Sequence, residues 1–178
     1  NTLAGVLTLI DAEPARAKAL LESFTDYLRS KLLSLRQDDS TLDRELDLAD
    51  AYLKLMQLRM EDRLRYSIRA DADARAAALP PLLLQPLVEN AIQHGLEPRI
   101  DGGSLAIDAR VQGTELHLSV TDGGAGAPQR SAGGHGIALD NIRQRLRALY
   151  GDAAALTIEP LQAGTRTTLR LPFHRSPA

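Results

Sequence analysis

Asn90 and His94 stand four residues apart in the run Glu89-Asn90-Ala91-Ile92-Gln93-His94-Gly95. On a helix they share one face. An asparagine carbonyl is a hard oxygen donor, suited to a Mg²⁺ that stays partly hydrated while it bridges phosphates. His94 can donate a hydrogen bond to a phosphate or a ribose. Asp122 opens the turn Asp122-Gly123-Gly124-Ala125-Gly126 at the predicted end of a strand. A carboxylate there can accept from the exocyclic amine of adenine, a donor that guanine lacks at that position. Gly124 and Gly126 let backbone approach a base closely and adopt positive φ. Gly133-Gly134-His135-Gly136 precedes a predicted helix, whose free N–H groups and dipole attract phosphate. Gly134, His135 and Gly136 are the candidate contacts, with Arg143 and Arg147 further along. Thr165, after Gly164, can hydrogen-bond a nucleotide from below. In this order the pieces read as one ATP site: a metal-binding helix, an adenine-reading aspartate and a phosphate-holding lid.

Each piece alone has an ordinary structural role as its alternative. Asn90 can brace the adjoining loop, and His94 can simply end a helix before Gly95. Asp-Gly-Gly is a good strand-end turn. Arg143 and Arg147 suit a solvated basic face, and Thr165 suits a hairpin. Other chemistries fit less well. No Gly-Lys-Ser/Thr is present, and no βαβ unit surrounds the glycines, so neither the P-loop nor the dinucleotide fingerprint applies. His94, His117, His135 and His174 lack paired metal-ligand spacing, and no nucleophile elbow is present. Glu89 is a weak catalytic candidate, because its neighbour Asn90 is about 100° away around a helix.

The elements that must position these residues follow from periodicity. The chain has 178 residues, 44% hydrophobic, enough for one ordinary domain with a short appendage. A formal charge of −2 gives no support to broad nucleic-acid binding, and without cysteine there are no disulfides or thiolate metal sites. No apolar stretch approaches the roughly 18 residues of a membrane span. No basic residue precedes Val6-Leu7-Thr8-Leu9-Ile10, which argues against a signal peptide. With no initiator methionine, the chain reads as a piece of something longer, and a membrane segment could lie upstream.

Residues 1 to about 37 read as a helical hairpin with a cut first arm. Pro14 begins the second arm, and Leu20, Leu21, Phe24, Leu28 and Leu32 form its apolar stripe. Gln37-Asp38-Asp39-Ser40 is the expected boundary between a unit over 1–37 and one over 38–178. Thr41 or Asp43 caps a helix reaching Met60, with Leu46, Leu53 and Met60 on one stripe. A strand is expected from Arg63 to Arg69, and a loose turn from Asp71 to Ala78. A helix from Pro80 to His94 should kink or start near Pro86. Alternation places strands around Leu105–Val111 and Leu116–Val120, turning at Gln112-Gly113-Thr114. A glycine-rich loop then leads to a helix from Gly136 to Tyr150. Leu156–Ile158 and Leu169–Leu171 lie on two closing strands. The whole is an α+β sandwich with a helical layer on one mixed sheet.

Four stretches resemble the ATP-binding domain of the GHKL proteins (gyrase-type ATPases, Hsp90, MutL and histidine kinases), and within them the LytS/YehU-type sensor histidine kinases. They are Asn1-Thr2-Leu3; Glu45-Leu46 with Tyr52-Leu53, Leu55, Arg59 and Arg63-Leu64; Leu83 to Ala91 with His94-Gly95; and Gly134 to Leu146. The third is the most specific. The resemblance implies a Bergerat-type ATP-binding sandwich preceded by a dimerisation and phospho-acceptor hairpin, with the acceptor histidine just upstream of Asn1. It implies that Asn90 holds Mg²⁺, that Asp122 contacts adenine with Gly124 and Gly126 beside the base, and that Gly134 and Gly136 meet phosphate. It also makes Thr165 a nucleotide contact.

The implied reaction carries the γ-phosphate of ATP to that histidine and then to an aspartate of a response-regulator receiver domain. The implied setting is a homodimer whose cytoplasmic part this is, anchored in the inner membrane through upstream segments, with no direct nucleic-acid contact. Gly123 and Ala138 depart from the family's usual Asn or Asp and Gly, and the lid is short. Hydrolysing members carry a glutamate four residues before the asparagine; here that position is Pro86, which cannot act as a base. The alternatives are a degenerate ATP-binding signalling module and a serine kinase of the anti-sigma-factor type.

Overall fold

The computed structural model describes residues 2–36, 39–124 and 136–176. Two helices come first, α1 (Thr2–Leu9) and α2 (Pro14–Ser34), as the hairpin reading expects. Proline in the first turn of α2 costs nothing, since its missing N–H would have no helical partner there. The expected apolar stripe on α2 divides. Leu20 is buried and Phe24 packs on the core, whereas Leu21, Leu28 and Leu32 are exposed. The packed face of α2 lies against α3 (Leu42–Met60), with Leu46, Leu53 and Met60 buried on the α3 stripe. Thr41 caps α3, its hydroxyl accepting from the Arg44 N–H at 3.4 Å. Before it, β1 (Ser40–Thr41) pairs antiparallel with β3 (Ala78–Leu79).

The main sheet has five strands: β2 (Leu64–Ala70), β4 (Gly103–Gln112), β5 (Glu115–Gly124), β6 (Ala155–Pro160) and β7 (Thr165–Pro172), in the order β2-β4-β5-β7-β6. β2 and β4 run parallel and the other neighbours antiparallel, so the sheet is mixed. Leu105, Ile107 and Ala109, Leu116, Leu118 and Val120, and Leu169 and Leu171 point to the buried face. Helical residues Leu87, Val88 and Ile92 join the same apolar cluster, as do Leu139, Ile142 and Leu146 of α6 (Gly136–Tyr150). Each fully buried leucine is worth roughly 1.5–3 kcal/mol. Asp108, Arg110, His117 and Ser119 alternate onto the opposite, polar face, which is what fixes the strand register.

Three expectations need correction. The loose turn after Asp71 is a single helical turn, α4 (Ala72–Arg75), because the Asp71 carboxylate accepts the Ala74 N–H at 2.7 Å. The strand carrying Asp122 does not end there but pairs on through Gly124, opposite Gly103. The next helix starts near Pro86 as expected, not at Pro80, and it is not α-helical throughout: α5 spans Gln85–Asn90 and continues as a π-helix over Ala91–Leu96. Hairpin residues Val6, Ala17, Leu20 and Tyr27 share the core of the rest of the chain, so the two proposed units are in direct contact.

Candidate functional site

The segment before α5 sets where that helix starts. Glu45, 1% exposed on α3, accepts three consecutive backbone N–H groups: Leu82 at 2.7 Å, Leu83 at 2.9 Å and Leu84 at 3.0 Å. Leu82 takes φ 57°, a costly conformation for leucine that these bonds sustain. Burial pushes the Glu45 carboxyl up, while the three N–H donors and the Arg145 charge pull against it. Arg145 of α6 also donates to the Pro81 carbonyl at 2.6 Å. Sequence reasoning had Glu45 only as part of a resemblance; a lone glutamate on the inner stripe of an amphipathic helix was the available signal.

With its start pinned, α5 runs through Asn90 into the π-helix, whose Gly95 meets Asp122 of β5. Asp122 is buried, and it faces backbone at two glycines. A Cβ on Gly95 would lie 2.7 Å from the Asp122 Cγ. A Cβ on Gly164, whose φ is 94°, would lie 1.9 Å from the Asp122 carbonyl oxygen. Thr165, opposite Asp122 in the β5–β7 register, donates its N–H to the Asp122 Oδ1 at 3.2 Å. The π-helix and the two bare backbones therefore form a cradle around one buried carboxylate. Asn90 and His94 are half-buried on the helix that makes one wall. π-Helical turns recur at functional sites because they offset the helix register.

Gly124 closes β5 and Gly136 opens α6. Asn1, Gly126, Gly134 and His135 lie outside the described residues. Arg143 is on the solvent side of α6, paired with Asp140 at 2.7 Å, rather than beside Asp122. Arg147 is exposed on the same helix.

Glu89 turns away from the cradle and toward the hairpin. Its Oε1 accepts from the Tyr27 hydroxyl at 2.5 Å, the Lys31 Nζ at 2.5 Å and the Gln85 Nε2 at 3.1 Å. Burial pushes its carboxyl up, but the bonds from Lys31, Tyr27 and Gln85 outweigh this and hold it below the usual 4.5. Burial, then the adjacent Glu89, raise the Tyr27 phenol. A carboxyl depressed in the fold stabilises above its unfolded pKa and loses that contribution as pH falls through the folded value. The extra hydrogen-exchange protection of α2 in the wild type over Glu89→Gln should therefore be complete above about pH 4.5 and shrink at lower pH.

Two family models match the chain. One, described as histidine kinase, covers residues 1–64; the other, described as histidine kinase-, DNA gyrase B- and HSP90-like ATPase, covers residues 79–175, more than half of the chain. The chain is 32% identical over 185 residues to the sensor protein LytS of Staphylococcus haemolyticus, spanning 98% of this chain and 32% of the relative. It is also 32% identical over 187 residues to the sensor histidine kinase/phosphatase LytS of Staphylococcus aureus, again over 98% of this chain and 32% of that protein. It thus spans about a third of the length of these relatives. Among solved structures, the histidine kinase domain of an Erythrobacter litoralis EL346 blue-light activated kinase aligns with TM-score 0.59 at 19% identity, over 97% of this chain and 86% of that one. The catalytic domain of histidine kinase ThkA aligns with TM-score 0.56 at 16% identity, over 75% of this chain and 93% of that one.

Proposed function

This chain belongs to the sensor histidine kinases of the LytS type and carries their ATPase-family domain; from that premise we propose that it binds Mg²⁺·ATP at the Asp122 cradle and passes the γ-phosphate to a histidine upstream of residue 1. The observation that carries this reading is the approach of two bare backbones, Gly95 and Gly164, to the buried Asp122. A side chain at either glycine would run into Asp122 itself, so the two glycines keep the carboxylate in the place from which it would meet a base.

In this reading the Asp122 carboxylate accepts from the adenine amine while the Thr165 N–H fixes its orientation. Asn90 supplies a neutral oxygen to Mg²⁺ from its half-buried place on the helix wall. That donor set fits a hydrated magnesium ion, which takes few protein ligands. The metal, when bound, neutralises phosphate charge. His94 donates to phosphate or ribose. Gly134, His135 and Gly136 offer lid contacts, with Gly124 and Gly126 beside the base. Phosphoryl transfer asks mainly for positioning and charge neutralisation, so no nucleophile need come from this domain.

Two features favour transfer to an imidazole over hydrolysis. Pro86 stands one turn before Asn90, and Glu89 is engaged by the hairpin, so neither activates water. The match of residues 1–64 to the histidine kinase model disfavours a serine kinase of the anti-sigma-factor type. The wider role follows the same reading: a homodimer working on the cytoplasmic face of the membrane, anchored by segments outside this sequence, and handing phosphate to a receiver-domain aspartate of a response regulator.

Asp122→Asn tests base recognition. The amide can keep the Thr165 bond through its oxygen but then turns an NH₂ toward the adenine amine. ATP affinity should fall about tenfold to a hundredfold, the range of about 1–3 kcal/mol for an unpaired buried polar group, and the preference for ATP over GTP should disappear. Unchanged ATP preference would exclude Asp122 as the adenine contact.

A further inference from the structure

α2 meets the nucleotide helix through a polar cluster, an unusual way to join two elements that share an apolar core. Tyr27 and Lys31 stand one turn apart on α2, and Gln85 and Glu89 stand one turn apart on α5. The Tyr27 hydroxyl donates to Glu89 and accepts from Lys31 at 3.1 Å and from the Gln85 Nε2 at 2.9 Å. Lys31 bridges to the same carboxylate oxygen, and its ammonium lies 5.5 Å from the Tyr27 ring centroid. Tyr52 of α3 backs the Tyr27 ring, with centroids 5.3 Å apart.

The composition of the contact makes it separable. Lys31 and Glu89 side chains are each about a third exposed, at 32% and 33%, so both rehydrate readily when parted. The Gln85 Oε1 is buried without a partner among the described residues, a cost borne only while the helices are docked. On the other side of α2, Leu28 and Leu32 are exposed, so among the described residues that side contributes little to the core.

We infer that Tyr27, Lys31, Gln85 and Glu89 form a releasable clasp between the hairpin and the nucleotide helix, with Tyr27 and Lys31 as positioning residues that set where the hairpin stands. The significance for phosphoryl transfer rests on the kinase reading. In that reading ATP is held at Asn90, the residue after Glu89, while the acceptor belongs to the hairpin. The clasp joins these two parts directly, and its opening lets α2 move while the ATP-binding body stays folded.

Hydrogen exchange on this chain, without nucleotide, tests the clasp independently of that reading. In Lys31→Met, amides of residues 14–34 should exchange about tenfold faster, with β4 and β5 protection and the urea midpoint unchanged. Lys31→Glu and Glu89→Lys should each act the same way, and the double exchange should restore α2 protection by recreating the ion pair. Acceleration spread evenly over α2 and the sheet, or a lowered urea midpoint, would make the cluster an ordinary part of the core. Unchanged α2 exchange in all three single variants, or no recovery in the double one, would also overturn the inference. If α2 behaves as stated but Mg²⁺·ATP does not bind, the clasp stands and the kinase reading falls.

Discussion

Glu45→Ala is expected to remove about 3 kcal/mol or more of stability. The carboxylate satisfies three buried N–H donors, at Leu82, Leu83 and Leu84, and alanine leaves all three without a partner. It also removes the support for the positive φ of Leu82. Glu45→Gln separates these contributions. Its one remaining oxygen can serve either Leu82 or the Leu83–Leu84 pair, while the new NH₂ faces a donor, so the loss should be smaller than for alanine. With about 1–3 kcal/mol per molar urea as the slope, the alanine variant should unfold at least 1 M earlier. A shift under about 0.3 M would mean that water or local rearrangement replaces the carboxylate at little cost. Because this segment sets the start of α5, a surviving Glu45→Ala fold should also bind nucleotide weakly.

Gly164→Ala should abolish the site while leaving most of the molecule folded. The added methyl would sit 1.9 Å from the Asp122 carbonyl oxygen and 2.8 Å from its Oδ1, at a backbone φ of 94°. Strain of that kind costs about 1–3 kcal/mol. Relief is available only by moving Asp122 or the start of β7, and either breaks the Thr165 bond to Asp122. Mg²⁺·ATP affinity should fall at least about a hundredfold, or about 2.7 kcal/mol. Gly113→Ala is the control: its φ is 61°, but nothing lies within 4 Å of the added methyl. That variant should lose about 1 kcal/mol of stability and keep its affinity. Equal loss of binding in both would show that backbone strain alone, not crowding of Asp122, is responsible.

What was readable in the amino-acid pattern divides along physical lines. Two-residue alternation in Leu105–Val111 and Leu116–Val120 registers which face is buried, so the sheet was legible. Helix caps at Thr41 and the hairpin at Pro14 were legible because both rest on local chemistry. Pro86 marked where α5 starts, but the part Glu45 plays in holding the segment before it was not legible, because Glu45 is 37 residues away from Leu82. The π-helix was hidden because its six residues, Ala91–Leu96, are too few for a shifted apolar spacing to register. Glu89 was open to a catalytic role on its position beside Asn90, and only the partners Tyr27 and Lys31, about 60 residues away in the chain, assign it to docking. The splitting of the α2 stripe into packed Leu20 and exposed Leu28 and Leu32 likewise needed the third dimension. Asp122, Gly95 and Gly164 could be picked out by residue type, but their mutual approach is a property of the fold.

The most direct measurement is a calorimetric titration of ATP into this chain with and without Mg²⁺, repeated on Asn90→Ala. The expected result is binding that strengthens at least tenfold with Mg²⁺ in the wild type, and an Asn90→Ala variant that stays folded but shows no Mg²⁺ enhancement. Nucleotide affinity indifferent to both the metal and Asn90, or no binding at all, would contradict the assignment of this cradle as a magnesium–ATP site.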